Sequence, residues 1–321
     1  MDEFEIIRRF FVEPITFRND QVVIGPGDDC AVVRLPAGYE LCVSTDTLVE
    51  GVHFTADAPA EVVVSRALGA NLSDLAAMGA QTHGFTLALT LPGFSEQWLS
   101  CFSTQLNHMV EHYRLPLIGG NLSRGQLSIT INIMGMVPAG QALLRSGAQV
   151  GDDIYVSGFL GDAAGGLELV KNVPSTNTDN RHFSQLIARY THPVARLDVG
   201  QALLGLASAA IDISDGFAAD LAHLCSASGV GSSIIVDSLP VSEALRLTFG
   251  AEKARTMAIQ GGDDYELCFT VPHRWSERVT KIGQSIGCPI TRIGTINADK
   301  SVNILDRDGR RVPHTTGYRH F

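Results

Sequence analysis

Aspartates recur beside glycine or hydroxyl residues along most of this 321-residue chain, and most of them follow an apolar, strand-like run. Acidic residues at the ends of neighbouring strands meet at one crevice of an α/β sheet, so the pattern favours that fold class. Carboxylates brought together repel one another, and their hard oxygens suit Mg²⁺, which also accepts water and phosphate oxygens. The pattern therefore predicts a Mg²⁺-nucleotide enzyme. The segments are 25–30, 44–47, 71–74, 212–216 and 261–266.

The length of the chain favours two domains, because single cores stop growing near about 250–300 residues. The sequence Pro-Ala-Gly at 138–140 precedes a linker-like stretch at 141–150. We therefore expect an N-terminal domain over 1–140 and a C-terminal α/β domain over 141–321.

Apolar periodicity predicts the helices and strands of both domains. The predicted helices are 2–13, 61–78, 96–112, 163–170, 182–190, 198–208 and 218–228. The predicted strands are 30–35, 40–45, 82–91, 115–118, 127–137, 153–157, 231–236, 265–271 and 290–296. The polar stretch 174–180 predicts a mobile loop.

Composition argues against several classes of protein. A formal net charge of −10 disfavours nucleic acid as a partner, since phosphate backbones require a basic face. The six cysteines form no C-x-x-C pair, which fits buried thiols in a reducing cytosol. Charged residues interrupt the N-terminus, and no apolar run reaches 18 residues, so we expect neither a signal peptide nor a membrane span. The sequence thus predicts a cytoplasmic protein.

Each acidic segment, taken alone, also has a structural explanation. Asp28 and Asp29 fit an ordinary turn, and Asp46 fits a helix or loop cap. An aspartate at position 74, on an apolar helical stretch, is costly unless it is paired or bound to a metal. A lone histidine such as His53 is more often structural than catalytic. Five such segments in one chain are harder to assign to turns alone.

The usual lysine-bearing phosphate loop is missing. The chain contains no G-x-x-x-x-G-K-[ST] motif, no protein-kinase catalytic loop and no G-x-S-x-G elbow. The segment 119–125 (GGNLSRG) instead offers backbone amides that can approach a phosphate closely. The sequence therefore predicts a nucleotide held by metal ions and turns.

Five segments together resemble the thiamine-monophosphate kinase family, a branch of the superfamily of aminoimidazole ribonucleotide synthetase. They are STDTLVEGVHF at 44–54, ANLSDLAAMGA at 70–80, RSGA at 145–148, DISDG at 212–216 and GGDDYEL at 261–267. The resemblance implies two α/β domains, with the N-terminal domains pairing across a homodimer into a β-barrel. It also implies that ATP and several Mg²⁺ ions bind in a groove at that pairing, with thiamine monophosphate as the acceptor.

The resemblance implies roles for individual residues. The positions matching metal ligands are Asp29, Ser44, Thr45, Asp46, Asp74, Asp212 and Asp215, with Asp46, Asp74 and Asp212 central to catalysis. The positions matching ATP contacts are Gly120, Asn121, Arg145 and Ser214. The positions matching substrate contacts are His53, Asp263 and Tyr318.

Two positions depart from the family pattern. Asn121 stands where the family usually has aspartate, so it offers a metal a neutral oxygen in place of a charge. Asp263 stands where the family usually has glutamate. Two alternatives stay open: another ATP-using enzyme of the superfamily, or a non-catalytic paralogue that binds nucleotide or thiamine phosphates.

Overall fold

The computed structural model describes residues 2–15, 17, 19–172 and 180–313. The chain divides into two compact units, Met1–Leu75 with Ala80–Gly140, and Ala76–Gly79 with Gln141–Phe321. The two-domain α/β organisation expected from the sequence is confirmed. The predicted loop at 174–180 lies outside the described residues except for Asn180, whose side chain caps the helix that follows.

The first unit contains one extended sheet and two long helices. Its elements are α1 (Glu3–Ile7), a π-helical turn (Arg8–Val12), β1 (Val22–Ile24), β2 (Val32–Val33), β3 (Tyr39–Val49), α2 (Ala60–Ala77), β4 (Gln81–Leu91), α3 (Glu96–Tyr113), β5 (Leu117–Arg124) and β6 (Ser128–Pro138). Strands β1 and β2 form a small antiparallel pair, and the other four form a sheet of order β3-β6-β4-β5. Only the β4–β5 pairing in that sheet is parallel.

The four-stranded sheet has one buried face and one more exposed face. Along β6, Ile129, Ile131 and Ile133 are fully buried, and the residues between them are half-buried. Helix α2 packs on the buried face, where Leu75 lies close to Gly135 of β6. On the opposite face of β3, Leu41 is 44% exposed and Val43 is 56% exposed.

The second unit is built on a six-stranded sheet. Its elements are β7 (Asp152–Ser157), α4 (Asp162–Asn172), α5 (Arg181–Thr191), α6 (Leu197–Ala202), β8 (Ala209–Asp212), α7 (Phe217–Ser228), β9 (Gly231–Ile235), α8 (Glu243–Phe249), α9 (Ala251–Gln260), β10 (Leu267–Pro272), α10 (Ser276–Ile286), β11 (Ile290–Asn297) and β12 (Val302–Leu305). The strand order is β12-β9-β11-β7-β10-β8, and among these pairings only that of β12 with β9 is parallel. The apolar core of this unit includes Ile154 of β7, Ile211 of β8 and Phe217 of α7.

Several element boundaries differ from the predictions. The prediction that β3 ends at residue 45 was wrong: β3 pairs with β6 over its whole length, so Asp46 lies inside the strand. Strand β5 runs to Arg124, so Gly120 and Asn121 lie in a strand and not in a loop. The predicted strand 30–35 shrinks to Val32–Val33. The helix predicted over 198–208 ends at Ala202, and Gly205 beyond it adopts a φ of +69° that a helix cannot accommodate.

For some elements the sequence gave no predicted bounds. These are β1, β8, α8, α9, α10 and β12. Among the described helices, none is long and apolar enough to cross a membrane.

Candidate active site

Ser44 and Asp46 of β3 lie beside Asp74 of α2. The Ser44 hydroxyl donates to Asp74 Oδ2 at 2.5 Å. Burial, reinforced by the negative charge of Asp74, raises the pKa of Asp46 from its ordinary 3.8 to about 6. Two carboxylates in mutual repulsion beside a hydroxyl form a set of hard oxygen donors, which fits a divalent cation such as Mg²⁺.

The strand geometry separates Thr45 from this cluster. Successive side chains of a strand point to opposite faces, so Ser44 and Asp46 share the face on which α2 lies. The Thr45 hydroxyl lies on the other face, where it accepts a hydrogen bond from Asn132 Nδ2 at 2.6 Å. The hydroxyl of Thr45 therefore does not join Ser44 and Asp46.

A cleft of about 510 Å³ in the same unit collects another part of the predicted site. Asp29, Gly120 and Asn121 line it together with apolar side chains of the N-terminal helical segment, among them Phe4 and Phe11. One wall is therefore polar and glycine-rich, and the other is apolar. A site with these two walls can hold a ligand that has both a charged end and an apolar ring.

The sheet places this cleft and the acidic cluster on a common line. Asp46 pairs with Ile131, Ile131 pairs with Leu87, and Leu87 pairs with Gly120. These four residues cross the sheet in register, so Asp46 and Gly120 are three strand spacings apart, roughly 14 Å. Gly120 is packed closely on β4, since a Cβ atom there would lie 2.0 Å from the Leu87 carbonyl oxygen.

His53 is held by hydrogen bonds from the last residue of β3 and from α2. Its Nδ1 accepts a hydrogen bond from the backbone N–H of Val49 at 3.0 Å. Arg66, only 2% exposed, donates through Nη2 to the His53 carbonyl oxygen at 3.0 Å. Because Nδ1 is an acceptor, the neutral ring carries its proton on Nε2, and His53 can act as a hydrogen-bond donor through that atom.

In the second unit, the loop after β8 wraps around a buried carboxylate. Asp212 ends the strand, and Asp220 Oδ2 accepts hydrogen bonds from the backbone N–H groups of Ser214, Asp215 and Gly216, each at 3.1 Å. Burial and the charge of Asp215 raise the pKa of Asp220 to about 7, although the three hydrogen bonds act in the opposite direction. Asp220 thus determines the shape of the loop that carries Ser214 and Asp215.

The segment that precedes β10 is hydrogen-bonded to that same loop. The backbone N–H of Asp263 donates to the Ser214 carbonyl at 2.8 Å, and that of Tyr265 donates to the Ile213 carbonyl at 2.8 Å. Arg145 is exposed and lies one residue after Leu144, whose carbonyl accepts from Ala210 of β8. The fold therefore groups Asp212, Ser214, Asp215 and Asp263 around the end of β8, whereas Arg145 follows a residue that pairs near the start of that strand.

Comparison with known proteins identifies the family. Residues 27–137 match the model of the AIR synthase related protein N-terminal domain, and residues 149–307 match that of the C-terminal domain. The thiamine-monophosphate kinase of Salmonella typhimurium is 46% identical over 324 residues, covering 99% of this chain and 98% of the relative. The chain belongs to the thiamine-monophosphate kinase family.

Solved structures agree with this assignment to the thiamine-monophosphate kinases. The crystal structure of thiamine-monophosphate kinase from Stenotrophomonas maltophilia is 41% identical, with a TM-score of 0.89, covering 97% of this chain and 98% of that one. A complex of AaThiL with AMPPCP and TMP is 30% identical, with a TM-score of 0.79, covering 99% of this chain and 96% of that one. The two-domain α/β fold expected for this family is thereby confirmed.

In this member of the thiamine-monophosphate kinase family, ten of the predicted site residues fall into three groups, and Thr45, His53 and Arg145 are not assigned to any of them. The first is Ser44, Asp46 and Asp74; the second is Asp29, Gly120 and Asn121; the third is Asp212, Ser214, Asp215 and Asp263. Tyr318 lies outside the described residues. Within the described part of the chain, no three or more histidine, cysteine, aspartate or glutamate side chains cluster closely enough to form a metal site by themselves.

Sequence reasoning missed the residues that support these groups. Asp220, Tyr265 and Glu266 were not predicted to be functional. Asp220 accepts a hydrogen bond from Asp215, Tyr265 donates one to Asp263, and the carbonyl oxygen of Glu266 accepts one from Ile213, which lies between Asp212 and Ser214. The segment DISDGFAAD at 212–220 carried a signal for Asp220, because the last residue lies one helical turn beyond the glycine. Arg66 and Arg196 stood out in the sequence only as isolated cations suited to a small anionic ligand, and nothing local linked them to His53 or Glu266.

Proposed function

We propose that this chain transfers the γ-phosphoryl group of ATP to thiamine monophosphate, giving thiamine diphosphate and ADP. The observation that carries the proposal is the carboxylate pair of Asp46 and Asp74 in a chain of this family, because the raised pKa of Asp46 marks a site that gains from a cation. An oxygen of the acceptor phosphate attacks the γ-phosphorus, and the bond to the oxygen that bridges to the β-phosphorus breaks. A phosphate oxygen is nucleophilic at neutral pH, so the transfer needs no strong general base.

We place the nucleotide in the cleft lined by Gly120. Its apolar wall, with Phe4 and Phe11, suits a purine ring, and its glycine-rich wall leaves backbone amides near the phosphates. Ser214 and Arg145 of the second unit are the remaining proposed ATP contacts. Phosphoryl transfer of this kind depends on positioning and charge neutralisation more than on covalent chemistry.

Mg²⁺ fits the donor sets that the chain provides. Ser44, Asp46 and Asp74 would hold metal in the first unit, with the Thr45 main chain beside them, and Asp212 and Asp215 in the second. Asp29 and Asn121 would supply oxygens at the nucleotide cleft. When bound, Mg²⁺ neutralises phosphate charge during the transfer.

His53, Asp263 and Tyr318 are the proposed contacts to thiamine monophosphate. His53, with its proton on Nε2, would donate a hydrogen bond to an acceptor phosphate oxygen. Asp263 would face the cationic thiamine portion, whose positive charge suits a carboxylate.

We propose that the enzyme is a homodimer formed through the first unit. The exposed face of its sheet carries Leu41 and Val43, whose exposure would be relieved by a second copy of the chain. Val43→Glu should shift the mass measured by light scattering from dimer to monomer. The matched variant Leu247→Glu, at a 64% exposed position of α8, should leave the mass unchanged. A wild-type protein that is monomeric at micromolar concentration would exclude the dimer.

We also propose a cytoplasmic location. All six cysteines, which lie within the described residues, are free thiols, and three of them are buried. This state fits a reducing compartment.

A coupled assay of ADP release, with and without thiamine monophosphate, tests the main proposal. ADP that appears only with this acceptor, together with thiamine diphosphate, supports it. ADP formed with a different acceptor would favour another ATP-using enzyme of the superfamily. Nucleotide binding without ADP release would favour a non-catalytic paralogue.

The metal part of the proposal has its own test. Asp46→Asn and Asp74→Asn should each lower kcat by about 100-fold or more, since metal contacts stabilise the transition state by several kcal/mol. Both variants should also lose most of the rise in melting temperature that Mg²⁺ with ATP gives the wild type. Asp57→Asn, at an exposed position of the same unit, is the control and should keep both properties.

A further inference from the structure

The segment from Asp263 to Glu266 has an unusual backbone. Asp263 has a φ of +66° and Tyr265 a φ of +51°, a region that residues with a Cβ atom rarely adopt. Such conformations persist only when the surrounding structure holds them, and they concentrate at functional sites. The contacts that hold this backbone are therefore evidence for the functional role of the segment.

The two other residues of the segment act as anchors. Asp264, almost fully buried, accepts hydrogen bonds from the backbone N–H of Gly161 at 2.6 Å and of Ala163 at 3.2 Å. Glu266, with an exposed fraction of 0%, accepts from Ser157 and from two arginines, Arg189 and Arg196. The anchors hold the backbone on both sides of Tyr265.

The phenol of Tyr265 is directed to the carboxylate of Asp263. The hydroxyl donates to Asp263 Oδ1 at 3.0 Å, and Tyr265 is buried. A hydrogen bond to a charged carboxylate from a rigid ring restricts how that carboxylate can turn. This contact joins two residues of one short segment, both of which have a left-handed backbone.

We propose that Tyr265 is a positioning residue that acts through Asp263, orienting its carboxylate toward the cationic thiamine portion of the substrate. This inference rests on the proposed function, in which Asp263 contacts thiamine monophosphate. Tyr265 itself does not touch the reacting phosphates. Its loss should therefore weaken substrate binding and leave the use of ATP unchanged.

Tyr265→Phe removes only the hydroxyl and keeps the ring. We expect the KM for thiamine monophosphate to rise about tenfold, the scale of one hydrogen bond to a charged group. The KM for ATP and the melting temperature should stay near the wild-type values. The matched control is Tyr155→Phe, which removes another buried phenolic hydroxyl that interacts with an aspartate, Asp153, on β7 of the same unit. This control should leave the KM for thiamine monophosphate unchanged.

A double-mutant cycle separates the inference from the function on which it rests. Asp263→Asn should raise the KM for thiamine monophosphate, and adding Tyr265→Phe to that variant should produce little further change. Two results would overturn the positioning role: effects on KM that multiply in the double variant, or an unchanged KM in Tyr265→Phe alone. In either case Asp263 would remain a substrate contact. An unchanged KM in Asp263→Asn would remove Asp263 from the substrate site, and the positioning role with it. Calorimetric titration with thiamine monophosphate alone, without ATP, should show the same pattern in Kd.

Discussion

The negative charge of Asp74 on α2 adds to the cost of ionising the carboxyl group of Asp46 on β3. Burial, and then the charge of Asp74, shifts the pKa of Asp46 to about 6, while Asp74 accepts a hydrogen bond from Ser44. A like-charged pair at this position lowers the stability of the metal-free protein and favours cation binding. The arrangement thus links the pH dependence of folding to the metal site.

The first prediction concerns the stability of the metal-free protein as pH changes. The pKa of Asp46 in the folded state lies above its ordinary 3.8, so the folded protein holds this proton more tightly than the unfolded chain. Protonation of Asp46 therefore stabilises the folded protein fully below its ordinary pKa of 3.8. This stabilisation is lost as the pH rises through about 6. Asp74→Asn removes the neighbouring charge and should reduce the fall in melting temperature between about pH 5 and about pH 7.5.

The pH profile of the wild type alone does not isolate Asp46, because the pKa of Asp220 is also raised, to about 7, and its titration changes stability over the same pH range. The test therefore compares the profiles of variants. Asp57→Asn, which removes an exposed carboxylate, should keep the wild-type profile. Identical profiles for wild type and Asp74→Asn would show that Asp74 does not control the ionisation of Asp46. Addition of Mg²⁺ should flatten the wild-type profile, since the cation offsets the repulsion.

The second prediction compares two neighbouring glycines of β5. A Cβ atom at Gly120 would lie 2.0 Å from the Leu87 carbonyl oxygen, whereas one at Gly119 would meet only Thr86 Cγ2 at 3.8 Å. Gly120→Ala should push β5 away from β4 and lower the free energy of unfolding by about 1–3 kcal/mol. Gly119→Ala should be close to neutral. Urea denaturation measures both, and equal effects of the two substitutions would contradict the close strand contact at Gly120.

The third prediction concerns the buried charge cluster of the second unit. Glu266 has side-chain partners in Arg189 and Arg196 at 2.7 and 2.5 Å. Glu266→Gln removes the fully buried carboxylate that two largely buried arginines share, so the free energy of unfolding should fall by about 3–5 kcal/mol. Glu13→Gln breaks an ion pair with Arg8 whose side chains are more than half exposed, and solvent screening should make its effect small. A loss for Glu266→Gln no larger than that of Glu13→Gln in urea denaturation would mean that the cluster adds little stability.

The fourth prediction concerns Asn121 at the nucleotide cleft. An amide oxygen coordinates Mg²⁺ without contributing charge, so Asn121→Asp should lower the Mg²⁺ concentration that gives half-maximal rate at fixed ATP. Thr104→Asp adds the same charge at an exposed position of α3 and should leave that concentration unchanged. If the aspartate at position 121 leaves the Mg²⁺ dependence unchanged or weakens it, this position does not serve a metal.

Much of the fold followed from short-range patterns. The strict alternation of β6 predicted a half-buried strand, and the structure places that strand at Ser128–Pro138. The apolar spacing of α2 and α3 predicted two long helices, which the structure contains within a few residues of the expected bounds. Alternation and helical periodicity are local properties, and a sequence window reveals them directly.

The extent of β3 and β5 did not follow from such patterns. Polar residues at Ser44, Asp46 and Asn121 interrupt the apolar signal, so each strand was predicted to end early. Pairing along the neighbouring strand, Tyr39 opposite Pro138 through Val49 opposite Ser128, extends β3 past its polar positions. Hydrogen bonds between backbones do not depend on side-chain polarity, so the ladder continues where a hydrophobic pattern stops.

The sequence by itself determined the family, the α/β class and the acidic segments that carry the proposed site. Tertiary structure alone decided which residues hold that site in place. The partners of Glu266 lie 70 to 109 positions away along the chain, and Arg66 reaches a carbonyl 13 positions away. A local motif can specify a ligand-binding residue, but its support comes from side chains that only folding brings near, because burial and hydrogen bonding act through space.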